Sequence, residues 1–163
     1  MADRIEFELE GAQELLVKLK GVSVDIQTKG GRFALRRAGK IIEEAVIGDA
    51  MRINRERSKE AIFRNIKLRF SPKLFQRTGD LGFRIGVLGG AVSRTKNEAN
   101  PGGDTWYWRL LEFGTEKMRA QPFMRPAIER VQGRVRVEFI LQYRKALDRA
   151  LRKAEREKGK VTK

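Results

Sequence analysis

The strongest constraint on this chain is the run Trp106-Tyr-Trp-Arg-Leu-Leu-Glu-Phe-Gly-Thr115 followed closely by Ala120-Gln-Pro-Phe-Met-Arg-Pro-Ala127. Both tryptophans, one of the two tyrosines and three of the four prolines fall between Pro101 and Pro126. Proline fixes its own φ and biases the residue before it toward extended backbone, while glycine opens conformations closed to other residues. Large aromatic rings, in turn, need partners to bury against. Stiff, bulky and permissive residues in one place make an architectural joint, and the run carries no catalytic set of side chains. Within it, Trp106 to Phe113 is expected as a short helix or strand. Gly114 then stands where a helix C-terminus wants a positive φ. Gln121 should be extended ahead of Pro122, and Pro126 suits the first turn of a final helix.

Two apolar stripes predict the long elements that this joint must connect. Leu35, Ala38, Ile42, Val46, Ala50 and Ile53 recur at steps of three and four, predicting a helix from Arg32 to about Asn54. Gly39 and Gly48 weaken it by about 1 kcal/mol each relative to alanine, so packing must support it and another element can approach closely. Ile128, Val131, Val135, Phe139, Tyr143, Ala146 and Ala150 form the second stripe, ending at a charged tail from Lys153.

The remaining segments are shorter. Ile5, Phe7 and Leu9 alternate with charged residues, as in a strand with one buried face. A short amphipathic helix on Ala12, Leu15, Leu16 and Leu19 follows, and residues 22–31 read as a connection with Gly30-Gly31 as a flexible joint. Residues 55–76 interleave arginine and lysine with Ile62, Phe63, Ile66, Leu68, Phe70, Leu74 and Phe75. That pattern suits a segment ordering against a partner, or one lying over the core with its charges outward, and a helix from Ser58 to about Lys67 is one form of it. Phe83, Ile85 and Val87 alternate as a strand with glycine-induced twist. Residues 93–105 are rich in turn formers and read as an exposed loop.

A length of 163 residues suits one domain, taken here as residues 1–152 with a charged, flexible tail over 153–163. The expected class is α+β: a small mixed sheet of a few strands on two long helices and one or two short ones, with a basic extended or loop segment. There is no cysteine and no histidine, which removes disulfides, thiol nucleophiles, thiolate zinc sites and imidazole acid/base chemistry. No apolar run is long enough to span a membrane, and the N-terminus lacks the basic-then-apolar pattern of a signal peptide, so synthesis in the cytoplasm is expected.

Nucleotide motifs fail on spacing. Gly39-Lys40 after Gly31 does not make a phosphate loop, with Ile41 where a magnesium-binding hydroxyl belongs, and Gly86, Gly89 and Gly90 do not give the dinucleotide fingerprint. Glu43 and Glu44 point about 100° apart on a helix and read as a solvated face. Asp80, Asp104 and Glu112 could converge on magnesium only if the fold brought them together. No cofactor and no metal are expected.

The charge is +15, and it is uneven. Residues 1–27 hold 3 basic and 6 acidic side chains (net -3), residues 52–84 hold 10 and 3 (net +7), and residues 129–163 hold 12 and 5 (net +7). Two basic blocks imply a polyanionic or acidic neighbour. Arg55, Arg57, Lys59, Arg64, Lys67, Arg69, Lys73 and Arg77 are the candidates for contacting DNA or an acidic partner. One of Trp106 and Trp108 is expected to anchor the core while the other faces a protein neighbour. Glu112 is placed to accept backbone amides across the joint or to pair with Arg109 or Arg119, the alternative being a surface salt bridge of small value.

Thr78-Gly-Asp-Leu81, Tyr107-Trp-Arg-Leu-Leu-Glu-Phe-Gly-Thr115 and Ala120-Gln-Pro-Phe-Met-Arg-Pro-Ala127 together resemble the tail-component family of tailed bacteriophages, described as neck or tail-completion proteins. The opening Ile5-Glu-Phe-Glu-Leu-Glu-Gly11 looks like the start of the same family. The resemblance implies a small α+β subunit without catalysis that joins the head connector or head-closure protein to a tail terminator or tail tube protein. It implies a location in the virion neck, after assembly in the host bacterial cytoplasm, and a homo-oligomeric ring, hexameric or dodecameric, with duplex DNA in its lumen. The residues matching the family pattern are Thr78, Gly79, Leu81, Tyr107, Glu112, Gly114, Thr115, Pro122, Phe123 and Pro126. With Trp106, Trp108 and Phe113 beside them, these are expected to set the joint and the packing between subunits. Six copies at +15 each carry a formal +90, which repels itself unless phosphates or acidic neighbours offset it. A standalone basic nucleic-acid-binding protein is the main alternative, and a magnesium nuclease a distant third.

Overall fold

The computed structural model describes residues 23–53, 61–88 and 101–161. The elements in chain order are α1 (Val24–Ile53), α2 (Ile62–Asn65), β1 (Ile66–Phe70), α3 (Pro72–Thr78), β2 (Phe83–Val87), α4 (Trp108–Phe113) and α5 (Met124–Val161). The protein is a mixed helix-and-strand molecule, mostly helical among the described residues, in which α1 and α5 pack together and the described strands form one antiparallel pair. The expected strand over Ile5–Leu9, the helix on Ala12–Leu19 and the loop residues 93–100 lie outside the described residues.

The first stripe forms the helix that its period demands, with Ala38, Val46 and Ala50 buried. The helix starts earlier than expected, because Gly30-Gly31 is not a flexible joint. Both glycines are buried within α1 and serve as contact surface. A Cβ at Gly30 would stand 3.2 Å from Tyr143 Cε2, and one at Gly31 would stand 3.0 Å from Leu81 Cδ1. Early α1 therefore meets late α5, whereas Val46 and Ala50 of late α1 share a core with Ala127 of early α5. The two helices are antiparallel, and Arg130 forks onto Asp49 at 3.0 Å across them. Tyr143 donates its hydroxyl to the Gln27 carbonyl at 3.1 Å, and burial pushes the phenol pKa above its ordinary value.

On α5 the buried stripe begins at Ala127, leaving Ile128 40% exposed, and it includes Leu147, which packs with Ile26, Tyr143 and Leu151. The helix continues to Val161, through the charged segment expected as a tail.

The basic segment resolves by side-chain alternation. Of the helix expected from Ser58 to about Lys67, the described residues show Ile62–Asn65 as helical, and β1 then turns Ile66 and Leu68 inward while Lys67 and Arg69 face solvent. β1 pairs antiparallel with β2 in the register Ile66↔Val87, Leu68↔Ile85 and Phe70↔Phe83. The pair lies on α1, where Gly39 makes room for it: a Cβ there would come within 2.9 Å of Leu68 Cδ1. Glu43 is half-buried rather than solvated, since its carboxylate accepts the Leu68 N–H at 2.8 Å. That bond occupies a backbone donor of β1, which helps close an edge. The main core thus joins Val46, Ala50, Ile62, Ile66, Phe123 and Ala127.

One buried polar residue ties the sheet to the joint. Asn65 Nδ2 donates to the Gly103 carbonyl at 3.1 Å and to Thr105 Oγ1 at 2.9 Å, while its Oδ1 accepts the Gly102 N–H at 2.7 Å. Gly102, Gly103 and Thr105 are buried, where composition led us to expect an exposed loop. Asparagine supplies both donor and acceptor there, standing in for missing strand partners.

Candidate functional site

The aromatic run folds as α4, and the chain after it doubles back on itself. Gly114 ends the helix at φ 75° and ψ 179°, and its N–H returns to the Leu110 carbonyl at 2.8 Å. Thr115 and Met118 then exchange backbone hydrogen bonds, and the Gln121 N–H reaches the Leu111 carbonyl at 2.7 Å. The expected positive φ at Gly114 is therefore present, and a side chain there would also meet Ala120 N at 2.8 Å. Pro122 is exposed and Phe123 fully buried, so the returning segment delivers one ring to the core as α5 begins.

That return places the start of α5 against Glu112. The carboxylate is 4% exposed, and it accepts the N–H of Phe123 at 2.8 Å, of Met124 at 3.0 Å and of Arg125 at 3.1 Å. A helix begins with four backbone donors that have no intrahelical partner. Glu112 takes three of them, and the fourth position is Pro126, which has no N–H to satisfy. The negative charge also sits at the positive end of the helix dipole. Sequence reasoning offered Glu112 either backbone amides or an arginine, and the amides hold it. Arg109 instead lies over the Trp108 ring, 5.5 Å from its centroid. The surface salt bridge weighed as the bland alternative is overturned by burial.

The joint has two faces. Tyr107, Trp108 and Leu111 pack against the main core, so Trp108 is the anchoring tryptophan. Trp106 (51%), in the turn before α4, and Leu110 (37%) and Phe113 (61%), three apart on α4, are left exposed. Arg125 covers part of Phe113, its guanidinium 4.7 Å from the ring centre. Thr115 and Pro126 are exposed at the rim.

The basic candidates divide. Arg55, Arg57 and Lys59 lie outside the described residues. Arg64, Lys67, Arg69, Lys73 and Arg77 are all exposed. Arg64 lies over Phe63, 5.8 Å from the ring centre. Lys67 and Arg69 point from β1, and the register puts Arg69 directly opposite Arg84, a residue that sequence reasoning did not select. Lys73, Leu74, Arg77, Phe83 and Arg84 line an open groove of about 510 Å³ between α3 and β2. Gly79 closes α3 in the left-handed conformation at φ 75° and ψ −6°.

The three carboxylates considered for magnesium do not meet. Asp80 is exposed at the end of α3 while Glu112 is fully engaged at the joint, and among the described residues no group of three acidic side chains could hold a metal. Glu43 and Asn65 were missed as structural ligands, since neither lies in a motif.

Comparison with protein-family models, with curated proteins and with solved structures finds no match to this chain.

Proposed function

We propose that this chain is a structural subunit of a bacteriophage neck, completing the tail and joining it to the head connector as one member of a ring around the DNA path. The observation that carries the reading is the division of labour at the joint. Glu112 locks α4 to α5 from the inside, while Trp106, Leu110 and Phe113 are left on the outside. A rigid corner that presents large apolar side chains is suited to docking against another protein. Glu112 is also one of the residues that carry the resemblance to tail-component proteins, and the outward side chains flank it, so motif and surface support one reading. Nothing in this function requires bond chemistry from the joint.

Deletion of the gene from its phage tests the proposal. The expected particles are separate heads and tails that do not join, the tails lacking their completed head-proximal end, visible by negative-stain electron microscopy. Normal joined virions from the deletion would overturn it. In the purified chain, Trp106→Ser with Phe113→Ser should leave folding unchanged and abolish ring assembly.

A further inference from the structure

We propose that the outward face of the β1–β2 hairpin, with α3 beside it, binds the phosphate backbone of duplex DNA without regard to sequence. The placement of this surface on the DNA path rests on the neck reading, while the surface itself is argued from the hairpin.

Alternation along β1 forces Lys67 and Arg69 to one side once Ile66 is buried and Leu68 half-buried on the other. The antiparallel register then sets Arg69 opposite Arg84 and Lys67 opposite Gly86, so no carboxylate stands across the strand pair from either cation. Like charges directly opposite each other destabilise a strand pair. Arg84 also borders the groove with Lys73 and Arg77, which stand four residues apart on one side of α3. Arg84 therefore joins the strand cations and the helix cations into one surface. Among the described residues none of these five has an ion-pair partner, whereas Lys29, Arg52 and Arg130 each have an aspartate. Glu43 is committed to the Leu68 amide.

An uncompensated cluster of this kind is stabilised by a dense anion. Lys67 and Arg69 are two strand positions apart, about 6.7 Å. A duplex passing along that length presents roughly four phosphate charges, at about 1.7 Å of axis per charge. Arginine's planar fork matches phosphate oxygens in pairs, and three of the five cations are arginines. No base-reading element is needed, so affinity should follow salt and not sequence.

The test is fluorescence anisotropy of the full chain with two labelled duplexes of unrelated sequence across a salt series. Equal affinity for both duplexes and a steep fall with salt are expected. The triple change Lys67→Gln, Arg69→Gln and Arg84→Gln should lower the log–log salt slope by roughly three, about one for each phosphate that is no longer neutralised. A control of equal charge on exposed α5, Arg134→Gln with Lys145→Gln and Arg152→Gln, should lower it by less than one. Equal reductions in the two triples would overturn the proposal in favour of diffuse charge, as would the absence of salt-dependent binding. Competition by polyglutamate as effective as DNA, charge for charge, would overturn it in favour of an acidic protein. If the hairpin triple does not fold by circular dichroism, Lys67→Gln alone decides, since Lys67 faces only Gly86. If binding behaves as expected yet the gene deletion leaves virions intact, the neck reading falls and the surface stands. Failure of joining in the deletion without DNA binding by the chain has the opposite meaning.

Discussion

The Glu112 carboxylate accepts the Phe123 N–H at 2.8 Å, so a side chain on one helix closes the start of the next across the ten residues from Phe113 to Pro122. The same two carboxylate oxygens take the following two amides, and the corner between α4 and α5 therefore has no loose backbone donors at its centre.

Replacing Glu112 with glutamine keeps the shape and one acceptor oxygen, but it turns an amide N–H₂ toward backbone donors. Leaving a buried donor unmatched costs about 1–3 kcal/mol. For a chain of this size that is a fall in Tm of roughly 2–12 °C. Glu112→Ala should cost more, since all three amides are then left without their acceptor. Thermal unfolding followed by circular dichroism checks both, and a glutamine variant melting with the wild type would show that the bonds contribute nothing net.

Gly114 and Gly79 share φ 75° but differ in ψ, and this separates their tolerance. Gly79, at ψ −6°, has the ordinary left-handed cap geometry with open space around its Cα. Asparagine tolerates that geometry, so Gly79→Asn should change stability by less than about 1 kcal/mol. Gly114, at ψ 179°, occupies a region used almost only by glycine, and an added Cβ would stand 2.8 Å from Ala120 N and 3.0 Å from Met118 O. Gly114→Val should therefore cost about 3 kcal/mol or more from strain and clash combined, and much of the purified variant should be unfolded or aggregated. Equal melting of the two variants would remove the distinction.

These positions also show what the sequence could tell. The joint was readable because proline and glycine act on their own backbone, so Gly114's positive φ and Pro126's place in the first turn follow locally. The long helices were readable because their apolar period extends over many turns. Arg84 was not selected, because its importance comes from facing Arg69, and register is set by how β1 and β2 lie on α1. Glu43 read as solvated because helix spacing alone does not reveal that a strand amide sits above it. Gly30 and Gly31 looked like a hinge in composition, yet their small size serves the approach of Tyr143 and Leu81. Asn65 had no signature at all, since a single polar residue in a basic stretch acquires its role only when Gly102, Gly103 and Thr105 arrive from far along the chain.

Tyr143 provides a test by pH. Its hydroxyl is held against the Gln27 carbonyl between α1 and α5, and removal from solvent raises its pKa above the ordinary value of 10.0. A raised folded pKa means that the unfolded chain ionises first. The stability linked to this phenol is thus fully present below pH 10 and is lost as pH climbs through the folded pKa. The comparison is with Tyr143→Phe, which keeps the ring against Gly30 and removes this titrating group alone. Below pH 10 the phenylalanine variant should be less stable by about 1 kcal/mol, the net value of one hydrogen bond. Above it the gap should narrow as the wild type loses stability that the variant does not have. Urea unfolding at a series of pH values measures the gap directly, and a constant difference across that range would show that Tyr143 ionises equally in the folded and unfolded chains.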